Sequence, residues 1–315
     1  MRSTRTFDAV CGAPAALATW ALWAALATGY LGLHGWVFDL FANFRVQYMA
    51  LFALCAVVLM FARRRKTALV ALAGVAFTTV TMAPYFQTRP ALAQSGASFR
   101  LLTFNVWHRN QEIERAIAFL KSSDADVLIL QEVTPAQVEA LARRLSQYPH
   151  HTVTSGSRHG LAVFSRWPLR AEHLLSPAGA TRITRTTIDW QGRPFTMFGV
   201  HLSWPLGRVE AAARTVQLDA LAKAVRNEAG PVLLAGDFNL TPWSRHYERF
   251  VANSGLADCA LGHGLMPTWP SQALPVRIRI DLCFASAHWR VRDMVAGPKL
   301  GSDHLPVIVD LELSR

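Results

Sequence analysis

Two patterns of hydrophobic and polar positions divide this chain. From Ala9 to Phe38 no Asp, Glu, Lys or Arg occurs; the same holds for Val46 to Ala62 and for Thr67 to Thr88. Each stretch reaches the roughly 17 to 25 residues that a helix needs to cross a bilayer core of about 30 Å. The pattern predicts three transmembrane helices at about 14–33, 46–62 and 67–86, within a membrane anchor of residues 1–89. Trp20, Trp23, Tyr30, Trp36, Tyr48 and Tyr85 fall at or near the span ends, where amphipathic rings favour the interface.

Residues 90–97, with Pro90, Ser95 and Gly96, read as a linker. Beyond them the apolar residues come in short bursts. Residues 101–107 read as a strand, and Ile113, Ala116, Ile117 and Leu120 recur at helical spacing. Val127 to Val133 is an apolar run of strand length, followed by a Pro135-initiated helix to Leu145. Gly160 to Ser165 is strand-like, and Thr184 to Trp190 and Phe195 to Leu202 flank a Gln-Gly-Arg-Pro turn that predicts a hairpin. A long Ala/Leu-rich helix spans 208–227, and strands follow at 232–235, 278–284, 291–296 and 307–313. Helices in similar number to strands, with hairpins as well as crossovers, favour layered α/β with mixed sheets over a purely parallel sheet.

Charge sharpens the division. Residues 1–97 carry 8 Lys/Arg and 2 Asp/Glu, whereas residues 98–315 carry 24 Lys/Arg against 19 Asp/Glu, a net +5. The second part therefore has the balance of an ordinary soluble domain, without the broad basic face a nuclease favours. Arg63, Arg64, Arg65 and Lys66 fill the turn between the second and third spans, and Arg2 and Arg5 lie at the N-terminus. The excess of positive charge on cytoplasmic loops places both inside, so an odd number of spans delivers residues 98–315 to the periplasm or exterior of a bacterial inner membrane. Ala91-Leu92-Ala93 has the small-residue form of a signal-peptidase site, and Cys259 and Cys283 could pair in an oxidising compartment.

The candidate chemistry lies where polar residues interrupt or end apolar strands. Asn105 follows Leu-Leu-Thr-Phe, Glu132 follows Leu-Ile-Leu-Gln, His201 follows Phe-Gly-Val, and Asp237 and Asn239 follow Val-Leu-Leu-Ala-Gly. Asp281 precedes Leu-Cys-Phe, and Asp303-His304 precedes Leu-Pro-Val-Ile-Val. Each has a bland reading alone: a turn for Asp-Phe-Asn, a strand cap for Asn105, an ion pair with Arg277 or Arg279 for Asp281. Polar groups at the ends of buried strands are costly unless partnered, so together they point to one shared site. Trp204, Trp243 and Trp269 sit in loops beside these strand ends, and Arg166 after Val-Phe-Ser is a candidate phosphate-binding arginine.

The ordered set Thr-Phe-Asn105-Val, Leu-Gln-Glu132, Gly-Val-His201, Gly-Asp237-Phe-Asn239, Ile-Asp281 and Ser-Asp303-His304 resembles the endonuclease/exonuclease/phosphatase superfamily with the DNase I-like fold. The anchor resembles a membrane-bound bacterial branch of it. The resemblance implies a four-layer α/β sandwich over residues 98–315: two central mixed sheets flanked by helices, with the site at one sheet edge. It implies a metal-dependent phosphoesterase, most simply a phosphodiesterase, with Mg²⁺ or Mn²⁺ held by Glu132, Asn105 and Asp303. His201 and Asn239 would contact the phosphate, Asp237 or His304 would be the base for the attacking water, with His304 otherwise contacting the phosphate, and Asp281 would orient His304. The partners implied are the lipid bilayer and a phosphate ester of a nucleic acid, a phospholipid or a small metabolite; the competing reading is an inactive scaffold that keeps the fold.

Overall fold

The computed structural model describes residues 8–87, 98–154, 160–174 and 183–314. The linker 90–97, with the Ala91-Leu92-Ala93 motif, lies outside them. Three apolar helices long enough to cross a membrane occupy Val10–Gly29, Trp36–Phe61 and Arg65–Tyr85. The regular helices within them are α1 (Ala13–Gly29), α2 (Trp36–Leu40), α3 (Arg45–Phe61) and α4 (Arg65–Met82). Phe52 packs against the Cα-only face of Gly74, where a Cβ would come within 2.7 Å of the ring, and this close approach lets α3 and α4 pair. At one end of the bundle, Arg64 in the basic turn pairs with Asp8 at 2.5 Å.

The rest of the chain forms two six-stranded sheets. Strands β1 (Ser98–Asn105), β2 (Val127–Val133), β3 (His150–Val153) and β4 (Gly160–Ser165) join β11 (Trp289–Ala296) and β12 (Val307–Leu313) in the order β11-β12-β1-β2-β4-β3. Strands β5 (Leu169–Leu174), β6 (Ile183–Trp190), β7 (Arg193–His201), β8 (Val232–Asp237), β9 (Ala257–Asp258) and β10 (Asp281–Ala285) form the second, in the order β5-β6-β7-β8-β10-β9. Among the described strands, only β1/β2 and β7/β8 pair in parallel. Helices α5 (Ile113–Ser122) and α6 (Pro135–Arg144) cover the first sheet, and α7 (Arg208–Arg226) and α8 (Arg245–Ser254) cover the second. This is the four-layer sandwich that the motif order implies.

Strand periodicity explains the layers. In β1, Phe99 and Leu101 enter the core between the sheets while Leu102 and Phe104 face α5 and α6. In β8, Leu233 and Ala235 face inward while Val232 and Leu234 face α7 and α8. Both faces are buried, so these strands read as unbroken apolar runs instead of alternating ones. The sequence pattern did not reveal β3, β5, β9 or α8. For α8 the signals were present: Ser244 caps it, Tyr247 and Phe250 share its buried face, and Gly255 ends it in the left-handed conformation at φ 73°.

Tyr85 departs from the interfacial role its position suggested. It is 5% exposed, stacks edge-on against Trp243 and joins the core between the sheets. Burying the whole ring in the core removes more apolar surface from water than resting it at an interface would. Trp23 likewise lies inside the bundle against Phe52 and Phe77.

Candidate functional site

The site is the polar end of the core between the sheets. Leu101, Thr103 and Asn105 share one face of β1; Met197, Gly199 and His201 share one of β7; Leu233, Ala235 and Asp237 share one of β8. On β10 the inward positions are Asp281, Cys283 and Ala285. Period-two alternation therefore carries the inward face of each strand from apolar residues to a polar residue at the same end. His201 and Asp237 face each other across the β7/β8 ladder, and Asp281 is paired with Asp237 across β8/β10.

Glu132 arrives by a different device. The β2/β4 register slips between Gln131 and Val133, leaving Glu132 as an extra residue at φ 55°. Val133 consequently packs with Leu128 and Leu130, which uninterrupted alternation forbids. The bulge turns a carboxylate toward the site at the cost of a left-handed backbone. Asn239 also has positive φ, 50°, and Gly236 lies so close to β7 that a Cβ would stand 2.0 Å from the Val200 carbonyl oxygen.

The side chains then bind one another. The Asn105 amide donates to Glu132 Oε1 at 3.2 Å and to Asp237 Oδ2 at 3.0 Å, while its oxygen accepts from the Trp107 N–H. His201 Nε2 lies 3.8 Å from both Glu132 Oε1 and Asp237 Oδ2. The Asn239 N–H donates to Asp237 Oδ1, and its side chain donates to the Leu202 carbonyl. His304 Nδ1 is 2.9 Å from Asp281 Oδ2, which leaves Nε2 facing Asp237 Oδ2 at 3.7 Å. Asp281, Asp237 and His304 offer ligand-type atoms within 4.8 Å of one another. Asp303 accepts from the Trp269 indole at 3.0 Å, and the Trp269 ring lies 6.5 Å from His304.

All eight residues named from the sequence thus meet at one end of the sandwich. Electrostatics differ among them. Burial would raise Glu132, but His201 and the hydrogen bond with His108 outweigh it and hold the carboxyl below its ordinary range. Burial pushes Asp237 up to about 7, with the Asp281 charge adding to it. Burial pulls His304 down, yet Asp281 and Asp237 overcome it and raise the imidazole to about 10.

Other expectations resolve differently. Arg279 pairs with Asp258, and Arg277 donates to the Pro270 and Ser271 carbonyls, so Asp281 is left to His304. Arg166 is not at the site: Ser165 pairs with Val127, at the opposite end of β2 from Glu132, and Arg166 bonds Asp124. Trp243 packs on Tyr85 beneath Arg45, whereas Trp204 is 56% exposed on the loop after His201. Cys259 and Cys283 are buried with their sulfurs 2.7 Å apart.

Three residues were missed. His108 Nδ1 lies 2.8 Å from Glu132 Oε2, and its place three residues after Asn105 was the available hint. Ser302 donates to the Asn105 carbonyl at 2.6 Å. Arg214, only 1% exposed, donates to the Asn239 carbonyl and pairs with Asp39 at 2.6 Å. An arginine inside a long surface helix carries no local signal of such a role.

Comparison with known proteins agrees with this fold. The model of the Endonuclease/Exonuclease/phosphatase family matches residues 102–304. No curated protein matches the chain. Among solved structures, an endonuclease/exonuclease/phosphatase from Beutenbergia cavernae is similar over 69% of this chain and 72% of its own, at 22% identity and TM-score 0.59. D. rerio TDP2 complexed with single strand DNA product is similar over 69% of this chain and 99% of its own, at 20% identity and TM-score 0.57. A mannosyl-6-phosphatase from Bacteroides thetaiotaomicron is similar over 68% and 99%, at 17% identity and TM-score 0.54. At these identities the likenesses establish a shared fold.

Proposed function

Because the chain belongs to the Endonuclease/Exonuclease/phosphatase family, whose members hydrolyse phosphate esters, we propose that it is a divalent-metal-dependent phosphodiesterase with its site on the outer side of a bacterial inner membrane. The observation that carries this is the convergence of Glu132, Asp237 and the Asp281–His304 pair, bridged by Asn105, at one end of the core between the sheets.

The donor set suits a hard cation such as Mg²⁺ or Mn²⁺. Asp281 Oδ1 and Asp303 Oδ1 are buried carboxylate oxygens without a hydrogen-bond partner, and Glu132 is held in its charged form. Glu132 and Asp303 would hold the ion; Asn105 would join them only with its amide turned over, since its oxygen now serves Trp107. When bound, the ion supplies charge that offsets negative charge on the phosphoryl oxygens.

The chain's own groups divide the proton work. Asp237, near 7, is poised to take a proton from the attacking water, and Asn239 N–H keeps its other oxygen in place. His304, near 10 and fixed by Asp281, stays cationic and donates through Nε2 to the phosphate. His201, whose Nε2 lies 3.8 Å from Glu132 and Asp237, would donate to a remaining phosphoryl oxygen, and the Asn239 amide would add the N–H that the Leu202 carbonyl does not take.

For topology, the basic turn with Arg64 lies at the end of the bundle whose other end carries the sandwich contacts of Asp39, Asn43 and Gln47. With the basic turn inside, the sandwich is outside. The test is hydrolysis of bis-p-nitrophenyl phosphate by the full-length chain in detergent micelles. Turnover should require Mg²⁺ or Mn²⁺, stop with EDTA, and be abolished by Asp237→Asn and by His304→Ala. A wild-type chain inactive on every phosphate ester tried would instead support the scaffold reading.

A further inference from the structure

The spans do more than tether the sandwich. Asp39, in α2 at the start of the second span, is buried against Arg214 and Ser244. Asn43 accepts from Thr241 at 2.9 Å, and Gln47 in the first turn of α3 donates to the Pro275 and Arg277 carbonyls at 3.2 and 3.1 Å. At the end of the third span, the Pro84 and Tyr85 carbonyls accept from Gly262 and Gly264. The sandwich segments involved, 238–244, 262–264 and 275–277, follow β8 or precede β10. They therefore belong to the end of the sheets that carries Asp237 and Asp281. The catalytic end is turned toward the three apolar helices.

Exposed apolar side chains concentrate on that same end. Within the sandwich, eight large hydrophobic residues are exposed among the described residues of 98–314, and six lie between 204 and 209 or between 269 and 276. Trp204, Leu206 and Val209 are 56%, 51% and 78% exposed and follow directly on His201. Leu274 and Val276, 68% and 49% exposed, flank Pro275, whose carbonyl is held by Gln47 where α3 begins. Scattered exposed apolar residues are ordinary, but a cluster on the face that the spans hold against a bilayer matches a lipid surface. Exposed Arg208 stands within the first cluster, where a cation suits anionic headgroups.

We infer that these two loops seat in the headgroup layer and that the site takes its phosphate ester from a lipid of that leaflet. This rests on the phosphodiesterase reading. Water's oxygen bonds to phosphorus, one P–O bond to an alcohol breaks, and the departing alkoxide takes up a proton, giving an alcohol and a phosphomonoester. A bulky nucleic acid would have to enter between the catalytic end and the membrane, past an apolar rim that offers it little counter-charge.

The test uses the full-length chain reconstituted into phosphatidylethanolamine/phosphatidylglycerol vesicles with Mg²⁺, with lipid products read by ³¹P NMR and mass spectrometry. Bis-p-nitrophenyl phosphate and a single-stranded oligonucleotide are assayed in parallel. Lipid turnover is expected, and Leu206→Asp combined with Leu274→Asp should lower it about tenfold while leaving bis-p-nitrophenyl phosphate hydrolysis within about twofold. Independently of activity, a nitrobenzoxadiazole label on Leu274→Cys should be quenched by doxyl-labelled lipid and shielded from aqueous iodide. Bis-p-nitrophenyl phosphate hydrolysis without lipid turnover, or an iodide-accessible label, overturns the inference and leaves the phosphodiesterase standing. Oligonucleotide cleavage indifferent to the rim variant does the same and assigns nucleic acid as substrate. Inactivity toward all three substrates removes the phosphodiesterase reading and this inference with it.

Discussion

Replacing Arg214 by Met should destabilise the protein and slow it. The guanidinium and the Asp39 carboxylate are 2.6 Å apart, with side chains 2% and 1% exposed. Burial pulls the Arg214 pKa below its ordinary value despite Asp39, so desolvation is the larger influence on this cation. At an effective dielectric of about 20, two unit charges about 4 Å apart attract by roughly 4 kcal/mol, much of which offsets that desolvation. Removing one partner forfeits the attraction and leaves the other charge buried, which costs about 3–5 kcal/mol. In a domain of this size that is a melting-point loss on the order of 10 °C. Arg249–Asp219 is the control: it too engages α7, joining it to α8, but its side chains are 47% and 44% exposed, and breaking it should cost under about 1 kcal/mol. The measurement is thermal unfolding of full-length Arg214→Met, Asp39→Leu, their double variant and Arg249→Met in one detergent. Each single core variant should melt far below wild type, and the double variant should recover most of the loss, because no unpaired charge then remains. The double variant should still turn over slowly, since Arg214 no longer holds the Asn239 carbonyl. If Arg214→Met melts no lower than Arg249→Met, the docking of α2 onto the site is wrong.

The rate should follow a bell in pH. Asp237 can accept a proton only above about 7, and His304 donates only below about 10, so kcat/KM rises through the first value and falls through the second. Asp281→Asn, by removing a cause of the raised His304 value, should move the alkaline limb to lower pH; an unmoved limb assigns it to another group. The sign for stability agrees: the folded His304 value lies above its ordinary 6.5, so its contribution is full below 6.5 and is lost as pH rises through about 10, visible as a falling melting temperature. Gly236→Ala should yield little folded protein, because its Cβ would overlap the Val200 carbonyl oxygen at 2.0 Å; a normally folded and active variant would refute the close β7/β8 approach. If the sandwich faces an oxidising compartment, Cys259 and Cys283 should resist alkylation in denatured, unreduced protein and react after reduction, while full alkylation without reductant argues against that side.

Much of this protein is written locally. Three uncharged stretches determine three apolar helices, since a hydrophobic run of that length needs no partner to be recognised. The strands show as apolar bursts, and the terminal polar residues Asn105, His201, Asp237 and Asp281 marked the site because period-two alternation puts them on the inward face at one end. What tertiary structure alone decided was pairing. Whether Asp281 serves Arg279 or His304 depends on Asp258 taking the arginine first. Glu132 reaches the site through a bulge whose register is set by β4, a strand some 30 residues away. Asp39, a lone carboxylate between two apolar stretches, gains its meaning from Arg214, 175 positions along the chain. Hydropathy and periodicity report which residues leave water; which buried charge meets which is settled by the packing of the layers, where an unpaired ion is too costly to keep.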